Sequence, residues 1–93
     1  MENINQALDD LKKASAEIKA NVDYYCGISR VKFETKRIKI FFLSPDGQCG
    51  ELYYKLIAMG YKNDGYSAPY YWRVEKEKVL ISYTEGDIYI YKR

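Results

Sequence analysis

The residues of this chain that could carry chemistry are its cations and its tyrosines, and they fall into a pattern. Arg30 and Lys32, then Arg37 and Lys39, take alternate positions in RVKFETKRIKIFF, and Phe41 continues the series. Later, Tyr71, Arg73, Tyr89, Tyr91 and Arg93 take alternate positions in segments whose other members are Trp72, Val74, Ile88 and Ile90. A guanidinium or ammonium beside an aromatic ring can meet a phosphate or a carboxylate, and the ring can stack on a base or anchor a protein contact. The chemistry on offer is therefore recognition.

Catalytic arrangements lack their components. The chain contains no His, which removes the commonest general base, the Ser and Cys triads that depend on it and most zinc sites. Its clustered carboxylates, Glu75 with Glu77 and Glu85 with Asp87, fall in polar turns, where solvation keeps a carboxyl ordinary and no apolar pocket separates an acid from a base. SPDGQCG places Gly47 and Gly50 near a helix start, whose amides favour anions, but it lacks the GK[ST] ending of a phosphate loop. Cys49 lies on a helical apolar stripe and reads as core filling. Cys26 and Cys49 match no metal spacing; free thiols in a reducing compartment are expected, with a single disulfide between the two as the alternative. No enzyme, metal or cofactor is expected.

The elements that must hold the recognition residues follow from periodicity. Ile4, Leu8, Leu11, Ser15, Ile18 and Val22 recur at spacings of three and four, flanked by Ala7 and Ala14, which predicts a helix over about 4–22. Asn3 and Gln6 resemble a capping box at its start. Such a helix spans about 28 Å, and its regular stripe could pack on a sheet or pair with a second copy. The segment 24–27 reads as the bend that follows.

A hairpin over about 28–43 comes next. Period two points Val31, Phe33, Ile38, Ile40 and Phe42 inward and Arg30, Lys32, Arg37, Lys39 and Phe41 outward. Cys49, Leu52, Tyr53, Leu56 and Met59 predict a second helix over about 45–59, entered by Ser44 and Pro45 and closed by Gly60 and Tyr61 as a Schellman cap. Residues 62–69 read as a loop, with tyrosines 66, 70 and 71 at its edge. A three-stranded meander over about 70–92 closes the chain. Trp72, Val74, Val79, Ile81, Tyr83, Ile88 and Ile90 face inward, and turns fall at Glu75–Lys78 and Glu85–Asp87. The outer face holds Tyr71, Arg73, Glu75, Leu80, Ser82, Thr84, Tyr89, Tyr91 and Arg93.

The order αββαβββ predicts a single α+β domain, a two-layer sandwich with both helices on one face of an antiparallel sheet. At 93 residues there is room for one core. Eleven tyrosines bring the aromatic share to 16%, high for a globular chain. Residues 1–27 carry five acidic and three basic side chains, a net of −2, whereas 28–93 carry eight acidic and twelve basic, a net of +4, so the sheet region is the basic one. The chain opens directly into the amphipathic pattern, with no signal segment and no apolar run long enough for a membrane. A soluble cytoplasmic protein is expected.

In size and composition the chain resembles the small proteins that phages and other mobile elements make to block host machinery, anti-CRISPR proteins among them. The resemblance is one of style, and no residue's role is carried through it. It implies a non-enzymatic protein that occupies a surface of a partner, here a nucleic-acid-processing one; the strand pattern, independently of the resemblance, offers Tyr71, Arg73, Tyr89, Tyr91 and Arg93 together with Arg30, Lys32, Arg37, Lys39 and Phe41 as the contact residues. The alternative is direct single-stranded nucleic-acid binding through the same residues. A homodimer through the first helix is the further option for assembly.

Overall fold

The computed structural model describes the chain apart from Met1, Tyr24, Tyr25, residues 45–49, Tyr66, Pro69 and Tyr70, and apart from the side chains of Glu2 and Asn3. The expected capping box, the bend at 24–25, the helix entry at 45–49, Cys49 and two of the loop tyrosines lie outside the described residues. The elements are α1 (Glu2–Lys19), β1 (Gly27–Phe33), β2 (Arg37–Leu43), α2 (Gly50–Ala58), β3 (Lys62–Asn63), β4 (Tyr71–Lys76), β5 (Val79–Thr84) and β6 (Asp87–Lys92). The αββαβββ order holds, with β3 added inside the segment expected to be loop. That two-residue strand pairs Lys62 with Glu75 and Asn63 with Val74; it is too short to show a period.

The sheet runs β1-β2-β6-β5-β4-β3, with antiparallel pairing throughout. The hairpin and the meander thus join through β2 and β6, where Ile38 faces Ile90 and Ile40 faces Ile88. One side of the sheet is the core. Ile38, Ile40, Phe42, Trp72, Val74, Ile81, Tyr83, Ile88 and Ile90 meet Ile4, Ala7, Leu8, Leu11, Ala14 and Ile18 of α1 and Leu52 and Leu56 of α2. Burying each large apolar side chain contributes about 1.5–3 kcal/mol. Because the α1 stripe lies inside this core, a helix-paired dimer would have to form without it.

Helix α1 starts two residues before the expected Ile4 and ends three before Val22. The Asn21 side chain donates to the Glu17 carbonyl at 2.9 Å, and its backbone N–H donates to Ile18 at 3.0 Å, taking carbonyls that another helical turn would have used. The Ser15 hydroxyl, buried in the stripe, donates to the Leu11 carbonyl at 2.8 Å. Helix α2 closes as expected: Gly60 has φ 100°, its N–H donates to Ile57 and that of Tyr61 donates to Leu56, which is the Schellman pattern. Tyr61 then reaches α1, donating its hydroxyl to Asp10 Oδ2 at 2.8 Å.

Two further expectations need correction, and one irregularity is added. Phe33 is not a core residue: it has the inward parity, but it is the last residue of edge strand β1 and is 69% exposed. The turns are tighter than expected. Lys76 pairs with Val79 and Thr84 with Asp87, leaving Glu77-Lys78 and Glu85-Gly86 as two-residue loops with positive φ throughout. Finally, a bulge between Ile28 and Arg30 shifts the alternation by one residue, so Ile28 and Val31, three apart, both pack against the core.

Candidate functional site

The face of the sheet opposite the helices is a grid fixed by register. One row reads Arg30, Phe41, Asp87, Thr84, Tyr71; the next Lys32, Lys39, Tyr89, Ser82, Arg73; the third Arg37, Tyr91, Leu80, Glu75, Lys62. All ten expected recognition residues except Arg93 lie on strands of this grid, and Arg93 follows directly on β6. Alternation placed them on one face, and the pairing of β2 with β6 brings the hairpin set beside the meander set.

The grid divides into two electrostatic halves. At the β1-β2-β6 end the cations rest on the sheet's own rings. The Arg30 guanidinium lies 4.6 Å from the centre of Phe41, and Lys39 Nζ lies 4.8 Å from Phe41 and 5.7 Å from Tyr89. Arg37 lies 4.2 Å from Tyr89. Lys32 and Lys39 are directly opposite each other, a repulsive pairing. It is offset by Glu34 at 3.8 Å from Lys32 and by the rings beneath Lys39. Glu34 also accepts from Arg37 Nε at 2.6 Å. That hydrogen bond is the main reason the Glu34 carboxyl sits below, and the Arg37 guanidinium above, its ordinary pKa.

The β4–β3 end is closed by internal pairing. Asp64 Oδ2 forms an ion pair with Arg73 Nε at 2.9 Å, the Asp64 carbonyl accepts from that Nε at 3.2 Å, Asp64 Oδ2 accepts from Arg93 Nη2 at 2.6 Å, and Arg93 Nε donates to Glu75 at 3.2 Å. Arg73 is held more firmly protonated, first by its hydrogen bond with the Tyr91 hydroxyl and then by Asp64. Leu80, placed on the outer face by alternation, lies in register between Tyr91 and Glu75 and is only 2% exposed. It is absent from the main core, and its two register neighbours, Tyr91 and Glu75, are themselves half-buried. Little aromatic surface is therefore open on this face: Tyr89 and Tyr91 are half-buried, and Tyr71 is the one expected contact tyrosine that is exposed, at 46%.

The outer face also holds residues that alternation alone did not single out. A depression of about 450 Å³ is lined by Lys36, Arg37, Ser82, Tyr89, Tyr91 and Lys92. Lys36 sits in the β1–β2 turn and Lys92 ends β6, where parity says little about direction. Asp64, at the mouth of β3, is the hub that removes Arg73 and Arg93 from the free cations. Among the described residues no group of three His, Cys, Asp or Glu side chains converges as metal ligands would, and no helix is long and apolar enough to cross a membrane.

The fold and face define a small, tyrosine-rich α+β domain whose six-stranded antiparallel sheet is covered by helices on one side. No protein-family model, curated protein or solved structure matches the chain.

Proposed function

We propose that the protein is a non-enzymatic binding protein that acts by occupying an acidic surface of a protein partner with the β1-β2-β6 end of its outer sheet face. The observation that carries this reading is the seating of Arg30, Arg37 and Lys39 on Phe41 and Tyr89. Ordered cations over aromatic rings are what a protein hot spot presents, since the side chains are positioned before the partner arrives. The expected partner class, a host protein that processes nucleic acid and is blocked by a phage or mobile-element product, rests on size and composition. The charge of the face narrows it to an acidic region of such a protein, away from the cationic groove that holds the nucleic acid.

Immobilised protein and its Lys32→Glu/Lys39→Glu variant, exposed to the same host extract, provide the test. A protein retained by the first and lost from the second, then titrated calorimetrically, should bind with a fixed stoichiometry. If nothing retained distinguishes the two, the reading fails.

Single-stranded nucleic acid is the second reading, favoured by the same cations. It requires ring faces for bases to stack on, and at Phe41 and Tyr89 a face is taken by a cation. Anisotropy with a labelled oligonucleotide separates the two, because strand binding would weaken by about 0.7 log units per released phosphate for each log unit of salt.

A further inference from the structure

Every side chain lining the 450 Å³ depression between the β1–β2 turn and the ends of β5 and β6 carries an N–H or O–H donor, and no carboxylate lines it. We propose that this depression is an oxyanion subsite and that its occupant is an acidic segment of the protein partner, bearing carboxylate or phosphorylated side chains. The proposal rests on the reading that the outer face docks a protein, and adds to it the place and the chemistry of one anchor.

Three features of the lining select an oxyanion. Arg37 is held from two sides, by Glu34 at its Nε and by the Tyr89 ring beneath it. Its Nη groups are left as a planar donor pair whose orientation is set in advance, and a planar fork suits a carboxylate or a phosphoryl group. Lys36 and Lys92 are the complement: exposed and without an ion pair among the described residues, they are two adjustable point charges on the same rim. The Tyr91 and Ser82 hydroxyls on the same lining each bring a proton that can be donated.

Size and surroundings point to a peptide. The depression is open to solvent, and its 450 Å³ admits a side chain with its neighbours where a bare ion would leave most of the space to water. A nucleic-acid backbone running on from the depression along β6 would pass Tyr89, whose ring bears Arg37, and then meet the carboxylate of Asp87. A peptide needs to place only its anion here and can leave the sheet at either side.

The test is a titration of the ¹⁵N-labelled chain at low salt, followed by amide shifts. The probes are a short peptide of alternating Asp and Glu, a neutral Gly/Ser peptide with one phosphoserine, the same peptide unphosphorylated, and a short oligothymidylate. One or both anionic peptides should shift residues 36, 37, 82, 89, 91 and 92 saturably, and which of them does so identifies the oxyanion; the unphosphorylated peptide should be silent. Lys36→Glu/Lys92→Glu should weaken that binding by about tenfold or more, the worth of one charge-assisted contact. A control of equal charge on the helix side, Lys12→Glu/Lys13→Glu, at exposed positions of α1, should change it by about twofold at most. Absence of saturable shifts with both anionic peptides overturns the proposal, as does equal weakening by the control, or tighter oligothymidylate binding at these residues. If a partner captured by the face is lost with Lys32→Glu/Lys39→Glu yet kept with Lys36→Glu/Lys92→Glu, the subsite fails and the docking face stands.

Discussion

The guanidinium of Arg37 lies 4.2 Å from the centre of the Tyr89 ring while its Nε donates to Glu34 at 2.6 Å. One strand thus supplies the cation, a second the ring and a turn the carboxylate, and the cation's position is set by the fold. At an exposed site a cation–ring contact of this kind contributes about 0.5–1 kcal/mol. A cycle of Arg37→Met, Tyr89→Leu and the double variant in urea unfolding should return a coupling of that size, and additive effects would show that the ring does not seat the cation.

Leu80 provides the clearest separation between an outward position and an exposed one. At 2% exposure, Leu80→Ala should cost about 2–4 kcal/mol, the range for removing a buried leucine. Tyr71→Ala, on the same face but exposed, should cost about 1 kcal/mol or less. Equal effects in denaturant melts would mean that the Arg93–Glu75 and Arg73–Tyr91 contacts do not shield Leu80 in solution.

The Glu77-Lys78 turn holds two non-glycine residues at φ 53° and 69°, a conformation that favours Asn and Gly. Changing the pair to Asn-Gly relieves strain of roughly 1 kcal/mol or more per residue, set against the greater freedom glycine brings to the unfolded chain. The net gain should be about 1 kcal/mol, or about 4–8 °C in Tm for a domain of this size. An unchanged or lower Tm would mean that these dihedrals are not strained.

What the sequence disclosed is what period and punctuation encode. The stripe from Ile4 to Ile18, the alternation of Ile38, Ile40 and Phe42 and the Gly60 stop all derive from one-dimensional spacing, and they were enough for the αββαβββ order. The strand order was not accessible, because nothing local says that β2 should pair with β6. That pairing decides the site: it lays Arg37 over Tyr89 and brings Lys36 to Lys92. Phe33 and Leu80 misled for one reason. Alternation gives the side of a sheet on which a residue stands, whereas burial depends on what reaches over it, and Phe33 ends an edge strand while polar neighbours close around Leu80.

The hydroxyl of Tyr61, donated to Asp10 at 2.8 Å, ties the α2 cap to α1 and gives stability an alkaline limit. Burial is the largest cause of its raised pKa, followed by the hydrogen bond to Asp10 and the negative charges of Asp10 and Glu77. The folded chain therefore keeps the phenolic proton at pH values where the unfolded chain, titrating near about 10, has released it. The resulting contribution is whole below about pH 10 and is lost as pH rises toward the elevated folded value. Tyr61→Phe should cost about 1–2 kcal/mol at neutral pH, from the lost part-buried hydrogen bond to the Asp10 carboxylate. The gap between the two proteins in urea unfolding should then narrow as the pH is raised above about 10, since phenylalanine has no proton to lose. A gap that stays constant through that range would mean that the phenol ionises as readily in the folded chain as in the unfolded one, and that the link between the helices is not the proton-dependent one described.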